Sequence, residues 1–91
     1  FSPAAKQDLK EINHYLIRFS IPAARKLKEK IRQTCDRLAK FPEMGKRADE
    51  LQAELRSFPI EDYLIFYRLI GKRIEIVRVL SGYRDIEAIF S

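Results

Sequence analysis

The sequence predicts an α+β fold: an antiparallel αα-hairpin packed on a small antiparallel β-sheet of three to four strands, closed by a short C-terminal helix or tail. Three observations carry this expectation. Apolar residues up to position 41 recur with the helical period, and residues 55–80 form runs rich in β-branched and aromatic side chains. The two longest of those runs are separated by Gly71-Lys72, a two-residue link with glycine first, as a type II′ hairpin prefers.

Ser2-Pro3 reads as a helix N-cap followed by proline at the first helical position, where the missing N–H removes nothing the helix would have used. Ala5, Leu9, Ile12, Leu16 and Phe19 then lie on one helical face. Ser20-Ile21-Pro22 interrupts the run, and Ala24, Leu27, Ile31, Cys35 and Leu38 form a second face that ends near Phe41-Pro42. Two amphipathic helices joined by so short a turn must lie antiparallel. Residues 42–54 are polar and read as a loop with room for one helical turn. "LRSFPI" (55–60) is a short strand that Pro59 confines to an edge or a strand end. "YLIFYRLI" (63–70) and "RIEIVRVL" (73–80) are strands so continuously apolar that alternation alone does not say which face meets the helices. Behind Asp85, a candidate N-cap, Ile86, Ile89 and Phe90 have helical spacing.

The 91 residues fit one domain with a single modest core, taken as 1–91, and the 46% apolar content is that of a globular chain rather than a disordered or fibrous one. The longest apolar stretch falls far short of the ~20 residues of a membrane-spanning helix. No basic segment followed by an apolar one opens the sequence, so a cytoplasmic protein with no membrane partner is expected. One cysteine excludes an internal disulfide, and with a single histidine no metal site or cofactor is expected. Cys35 reads as buried helix filler, and His14, on the polar side of the first helix, as a solvated surface residue. The net charge of +5 is unevenly spread: residues 23–32 hold five bases against one acid, whereas 33–54 hold four bases against five acids. A basic stripe of this kind suits an acidic partner or a nucleic-acid backbone, as well as a solvated helix face.

The order of these elements, with "SPAAKQDLKEI" (2–12), "LAKFPEMGKR" (38–47), "LRSFPIEDYLIFYRL" (55–69) and "IEIVRVLSGYRDIEAIF" (74–90), resembles the ParE/RelE superfamily of bacterial type II toxin–antitoxin systems. The ParE-like branch is closest, since an apolar strand, a Gly-x-Arg-Asp turn and a short apolar tail close its sequences. The resemblance implies the same fold, with one further strand before the Ser-Pro of the first helix. Because this sequence opens on Phe1-Ser2, that strand is expected to be missing or truncated here.

Function follows from the resemblance. ParE-like toxins bind DNA gyrase and stabilise its cleaved-DNA complex, which requires a complementary surface rather than a catalytic group. RelE-like toxins cleave mRNA on the ribosome, with basic residues on the sheet stabilising the scissile phosphate and a C-terminal tyrosine or histidine assisting proton transfer. Here Arg84 matches the arginine after the last strand and is the one catalytic candidate of a nuclease reading. Leu64 stands where the nuclease branch places an arginine. Ser81 stands where many ParE-like sequences carry a histidine, and Phe90 lies near the tail tyrosine without its ionisable hydroxyl. The nuclease set is therefore incomplete, and a gyrase inhibitor is expected. A ribosome-dependent mRNA endonuclease and a non-toxic protein-binding module are the alternatives.

Partner-binding residues are expected at Arg68 and Arg78, charged positions within apolar strands, and along Tyr83, Arg84, Asp85, Ile86, Ile89 and Phe90. A purely structural role competes at three of them: Asp85 as a helix cap, Arg84 paired with Asp85, Glu87 or a carboxylate on the sheet, and Arg78 as a salt-bridged edge residue. Tyr63, Tyr67 and Tyr83 read as core or rim aromatics rather than bases, since an unperturbed tyrosine titrates near pH ~10. The resemblance also implies a ParD-like antitoxin, with an acidic C-terminal segment that folds on the toxin and a DNA-binding N-terminal module that would bring the complex to DNA indirectly.

Overall fold

The computed structural model describes residues 1–91. Ser2 starts the first helix as expected: its Oγ accepts a hydrogen bond from the Ala5 N–H at 3.0 Å, and Pro3 takes the first helical position of α1 (Pro3–Ile17). Ser20 repeats the device at α2 (Ile21–Lys40), accepting from the Ala23 N–H at 3.2 Å. One expectation needs correcting. The helical face of α1 does not extend to Phe19, because the Phe19 and Ser20 N–H groups both close back on the Leu16 carbonyl. Phe19 is left on the turn, 72% exposed.

Beyond α2 the chain makes one 3₁₀ turn (Pro42–Met44) and a two-residue strand, β1 (Lys46–Arg47), within the segment read as a loop. The sheet continues with β2 (Arg56–Ile60), β3 (Tyr63–Ile70) and β4 (Arg73–Ser81), all antiparallel in the order β1-β2-β3-β4. Pro59 lies in the half of β2 beyond its pairing with β1, so its missing N–H faces an open edge. Gly71 has a φ of 61°, which supplies the left-handed residue that the tight β3–β4 turn requires. At the β2–β3 turn the corresponding residue is Glu61, with a φ of 52°, and its carboxylate is held by Lys30 Nζ at 2.8 Å.

Phe66 pairs with Arg78 and Tyr67 with Ile76, which leaves Val77 as an extra residue and makes a β-bulge in β4. The bulge shifts the alternation so that Ile76 and Val79, three residues apart, serve the same face, and both faces of the sheet are apolar and covered. One face carries Ile65, Tyr67, Ile76 and Val79 against Ala5 of α1 and Leu27, Ile31, Cys35 and Leu38 of α2. On the other, Phe66 and Leu80 meet Ala48 and Leu55 of the loop region, with Leu64, Val77 and the last helix, α3 (Ile86–Phe90), packed around them. At the outer edge of β4 the start of the chain runs alongside: the Ser2 N–H donates to the Ile76 carbonyl at 2.9 Å and Ser2 Oγ to the Val77 carbonyl at 2.7 Å. Edge groups that would otherwise invite another strand are used internally there.

Candidate functional site

The turn between β4 and α3 brings the candidate residues to one end of the sheet. The Gly82 N–H donates to the Asp62 carbonyl at 2.8 Å and the Arg84 N–H to the Ser81 carbonyl at 3.2 Å, so the turn is tied to the β2–β3 turn beside it. Asp85 caps α3, its Oδ1 accepting from the Ala88 N–H at 3.2 Å. With the backbone fixed in this way, Tyr83 and Arg84 project outward. Tyr83 is 87% exposed. Arg84 is exposed and forms no ion pair with Asp85, Glu87 or any other carboxylate.

The rest of the predicted set divides. Ile86, Ile89 and Phe90 turn inward on the second face of the sheet, where the Phe90 ring meets Phe66 edge-on at 4.9 Å between centroids. Arg78 is turned toward the helices and holds Asp8 of α1 through Nε at 2.7 Å and Nη2 at 2.8 Å. That fork raises the Arg78 pKa above its ordinary value, with the hydrogen bonds to Asp8 as the main cause. Arg68 pairs across the hairpin with Glu75 at 3.1 Å. Since Tyr63 faces Ser81 and Arg68 faces Glu75, Arg68 and the Arg84 turn lie at opposite ends of β3, about 17 Å apart at ~3.4 Å per residue. The two arginines do not form one site.

Beside Arg84 a cleft of about 500 Å³ runs between α1 and the end of the sheet, lined by Glu11, Tyr15, Asp62, Tyr63, Tyr83 and others. Sequence reasoning missed Glu11, Tyr15 and Asp62, because nothing local links a helix face at 11–15 to turns at 62 and 83. Burial raises the Tyr63 pKa further above the ordinary tyrosine value, and the neighbouring Tyr15 and acidic residues Asp62 and Glu61 add to it. A phenol shifted in that direction is a poor base near neutrality, and carboxylates along the cleft repel a phosphodiester. Cys35, packed between helices and sheet, has its thiol pushed up to about 11, mainly by burial, and is no nucleophile at neutral pH.

A helical hairpin on a four-stranded antiparallel sheet, basic overall and with an unpaired arginine at the sheet's end, defines a small α+β domain with the architecture that the resemblance to type II toxins implies. The model of the family described as ParE toxin of type II toxin-antitoxin system, parDE, matches residues 1–86, and the chain belongs to that family. It is similar to Toxin ParE3 of Caulobacter vibrioides, with 32% identity over 59 residues, which is 65% of this chain and 59% of the relative's length. The chain thus spans less than two thirds of that relative. No helix is long and apolar enough to cross a membrane.

Proposed function

We propose that this toxin acts by binding DNA gyrase, with no covalent chemistry of its own, and that a ParD-like antitoxin neutralises it. The observation that carries this reading is the state of Arg84: exposed, without an acidic partner, and beside a cleft whose other polar groups are tyrosines, carboxylates and the Ser81 hydroxyl, with no histidine or second free cation. A nuclease needs a proton-transfer group near neutrality and a phosphate-attracting surround. A docking arginine needs only to be rigidly presented and free, and the hydrogen-bonded turn provides both.

The antitoxin reading rests on the groove between α1 and α2, a cavity of about 580 Å³ floored by Leu9, Ile12, Leu16, Leu27 and Ile31. Lys6, Lys10, Arg25, Lys28 and Arg32 stand along it against Glu29 and Asp36. An acidic amphipathic segment would bury apolar anchors there and be steered by the excess of cations.

Purified toxin incubated with gyrase, supercoiled DNA and ATP tests the target. Inhibited supercoiling or accumulated linear DNA is expected, weakened about tenfold or more in Arg84→Ala. The reading is lost if gyrase is unaffected at concentrations that arrest growth. Cleavage of ribosome-bound message that disappears in Arg84→Ala would establish the endonuclease instead.

A further inference from the structure

We infer that the target-docking face of this toxin is a composite of the helical hairpin's tip and the Tyr83-Arg84 turn, and that it fits an acidic protein surface containing an apolar pocket. The inference rests on the reading of the chain as a toxin with a protein target. Its first observation is where apolar surface is left uncovered. Ten large hydrophobic residues are exposed, and four of them fall within seven positions at the tip: Tyr15 (59%), Ile17 (42%), Phe19 (72%) and Ile21 (55%). Singly scattered apolar residues need no explanation, but a cluster of this kind on one turn marks an interaction site. The Tyr15 and Phe19 rings pack on each other at 5.1 Å between centroids, so the tip presents a preformed aromatic knob.

The second observation is charge. Residues 12–28 carry Arg18, Arg25, Lys26 and Lys28 and no acid, and none of the four is in an ion pair. Unpaired cations around an aromatic knob are complementary to carboxylates around a pocket. A second copy of the chain would set Arg18 and Arg25 against the same cations.

The third observation is continuity. Tyr15 and Glu11 line both the hollow beneath Arg18 at the tip and the cleft that holds Tyr83 and Arg84. Tip and turn therefore belong to one face. Asp62 and Glu11 lie on that face without ion pairs, where an anionic lipid surface would be repelled but a protein could place a lysine or arginine among the tyrosines. The apolar tail, by contrast, is folded onto Phe66 and presents little of its surface.

Phe19→Ser and Arg18→Glu test the face, since both side chains are exposed and neither belongs to the core. Each variant is expected to melt like the parent and to bind antitoxin as the parent does. Each should need about tenfold more protein to arrest growth and to inhibit purified gyrase. Parent-like arrest by both folded variants overturns the inference. If the parent arrests growth but leaves gyrase untouched, the gyrase reading falls alone, and loss of arrest in the variants still supports the face. A parent that neither arrests growth nor touches gyrase removes both. Self-association of the parent that Phe19→Ser abolishes, or parent binding to phosphatidylglycerol vesicles at physiological salt, would give the face to a second copy or to lipid and so overturn the assignment.

Discussion

Arg78 on β4 grips Asp8 on α1 through two hydrogen bonds of 2.7 and 2.8 Å, and Asp8 takes a third, at 3.0 Å, from the Val79 N–H. The carboxylate is 4% exposed and the guanidinium side chain 25%, so the pair clamps the first helix to the bulged edge of the sheet with little help from water. Asp8→Ala would leave a mostly buried arginine and a backbone N–H unpaired, at a cost of about 3 kcal/mol. The expected fall in Tm is on the order of 10 °C or more. Asp8→Leu combined with Arg78→Met should recover a good part of that loss, because no uncompensated charge remains. Thermal melts of the three variants check this, and a loss in Asp8→Ala as small as that of an exposed acid would refute the clamp.

Tyr67 does for the loop what Asp8 does for the helix. Its buried hydroxyl donates to the Pro42 carbonyl and accepts from the Gly45 N–H at 2.8 Å, which fixes the chain between α2 and β1. A Cβ added at Gly45 would stand 2.3 Å from that hydroxyl, so the position has no room for a side chain. Tyr67→Phe strands a buried N–H at Gly45 and a part-buried carbonyl at Pro42, and should cost about 2 kcal/mol in urea unfolding. Gly45→Ala should cost at least as much, because either the tyrosine ring or the loop must move. Wild-type stability in both variants would mean that the loop is held by other contacts.

The features legible in the sequence are those that local chemistry decides. Ser2-Pro3 and Asp85 each cap a helix by a bond to a backbone N–H three residues away, and Gly71 supplies the positive φ of its own turn. What sequence reading left open depends on partners far along the chain. The polar pair Lys46-Arg47 becomes a strand only because Arg56 and Ser57 lie beside it. Asp8 on an otherwise ordinary helix reads as surface until Arg78, seventy residues on, is seen to hold it. The bulge at Val77 decides which face each β4 residue serves, and nothing in a continuous apolar run announces it. At the site the Asp85 cap is equally local, whereas the exposure of Tyr83 and the absence of an ion pair at Arg84 are not, since a rim aromatic and a paired arginine fit the same sequence. Phe19 falls on the expected apolar face only because the periodicity runs past the true end of α1, and nothing local marks Tyr15 as exposed.

The tail should behave as a structural element. Phe90 packs edge-on against Phe66, and Ile86 and Ile89 pack against the cluster of Ala48, Leu55, Phe66 and Leu80 on the face the helical hairpin does not reach. Because these tail side chains are half-buried, Phe90→Ala should cost about 1–2 kcal/mol rather than the 3–5 of a fully buried aromatic. It should also raise binding of a hydrophobic dye, as Phe66 becomes accessible. Unchanged Tm and dye fluorescence in Phe90→Ala would show that α3 is not seated on the sheet in solution.

Cys35 provides a stability signature in alkali. Burial between the helical hairpin and the sheet pushes its thiol up to about 11, with Asp36 adding to the shift. An unfolded cysteine titrates near ~8.5, so the folded state favours the protonated thiol. The sign follows: this contribution is fully present below the unfolded pKa and is lost as pH rises from about 9 through about 11. The denaturation midpoint should therefore fall across that window. Tyr63 and Tyr67, whose pKa values are also raised chiefly by burial, contribute losses of the same sign. Cys35→Ala separates them: the variant is less stable at pH 7 for lack of the sulfur's packing, but its midpoint should fall less steeply than the parent's between pH 9 and 11. Thiol chemistry gives an independent reading, since a disulfide reagent at pH 8 should modify Cys35 far more slowly in the folded protein than in urea. Modification at the free-cysteine rate, or identical alkaline slopes in parent and variant, would place the thiol in water rather than in the core.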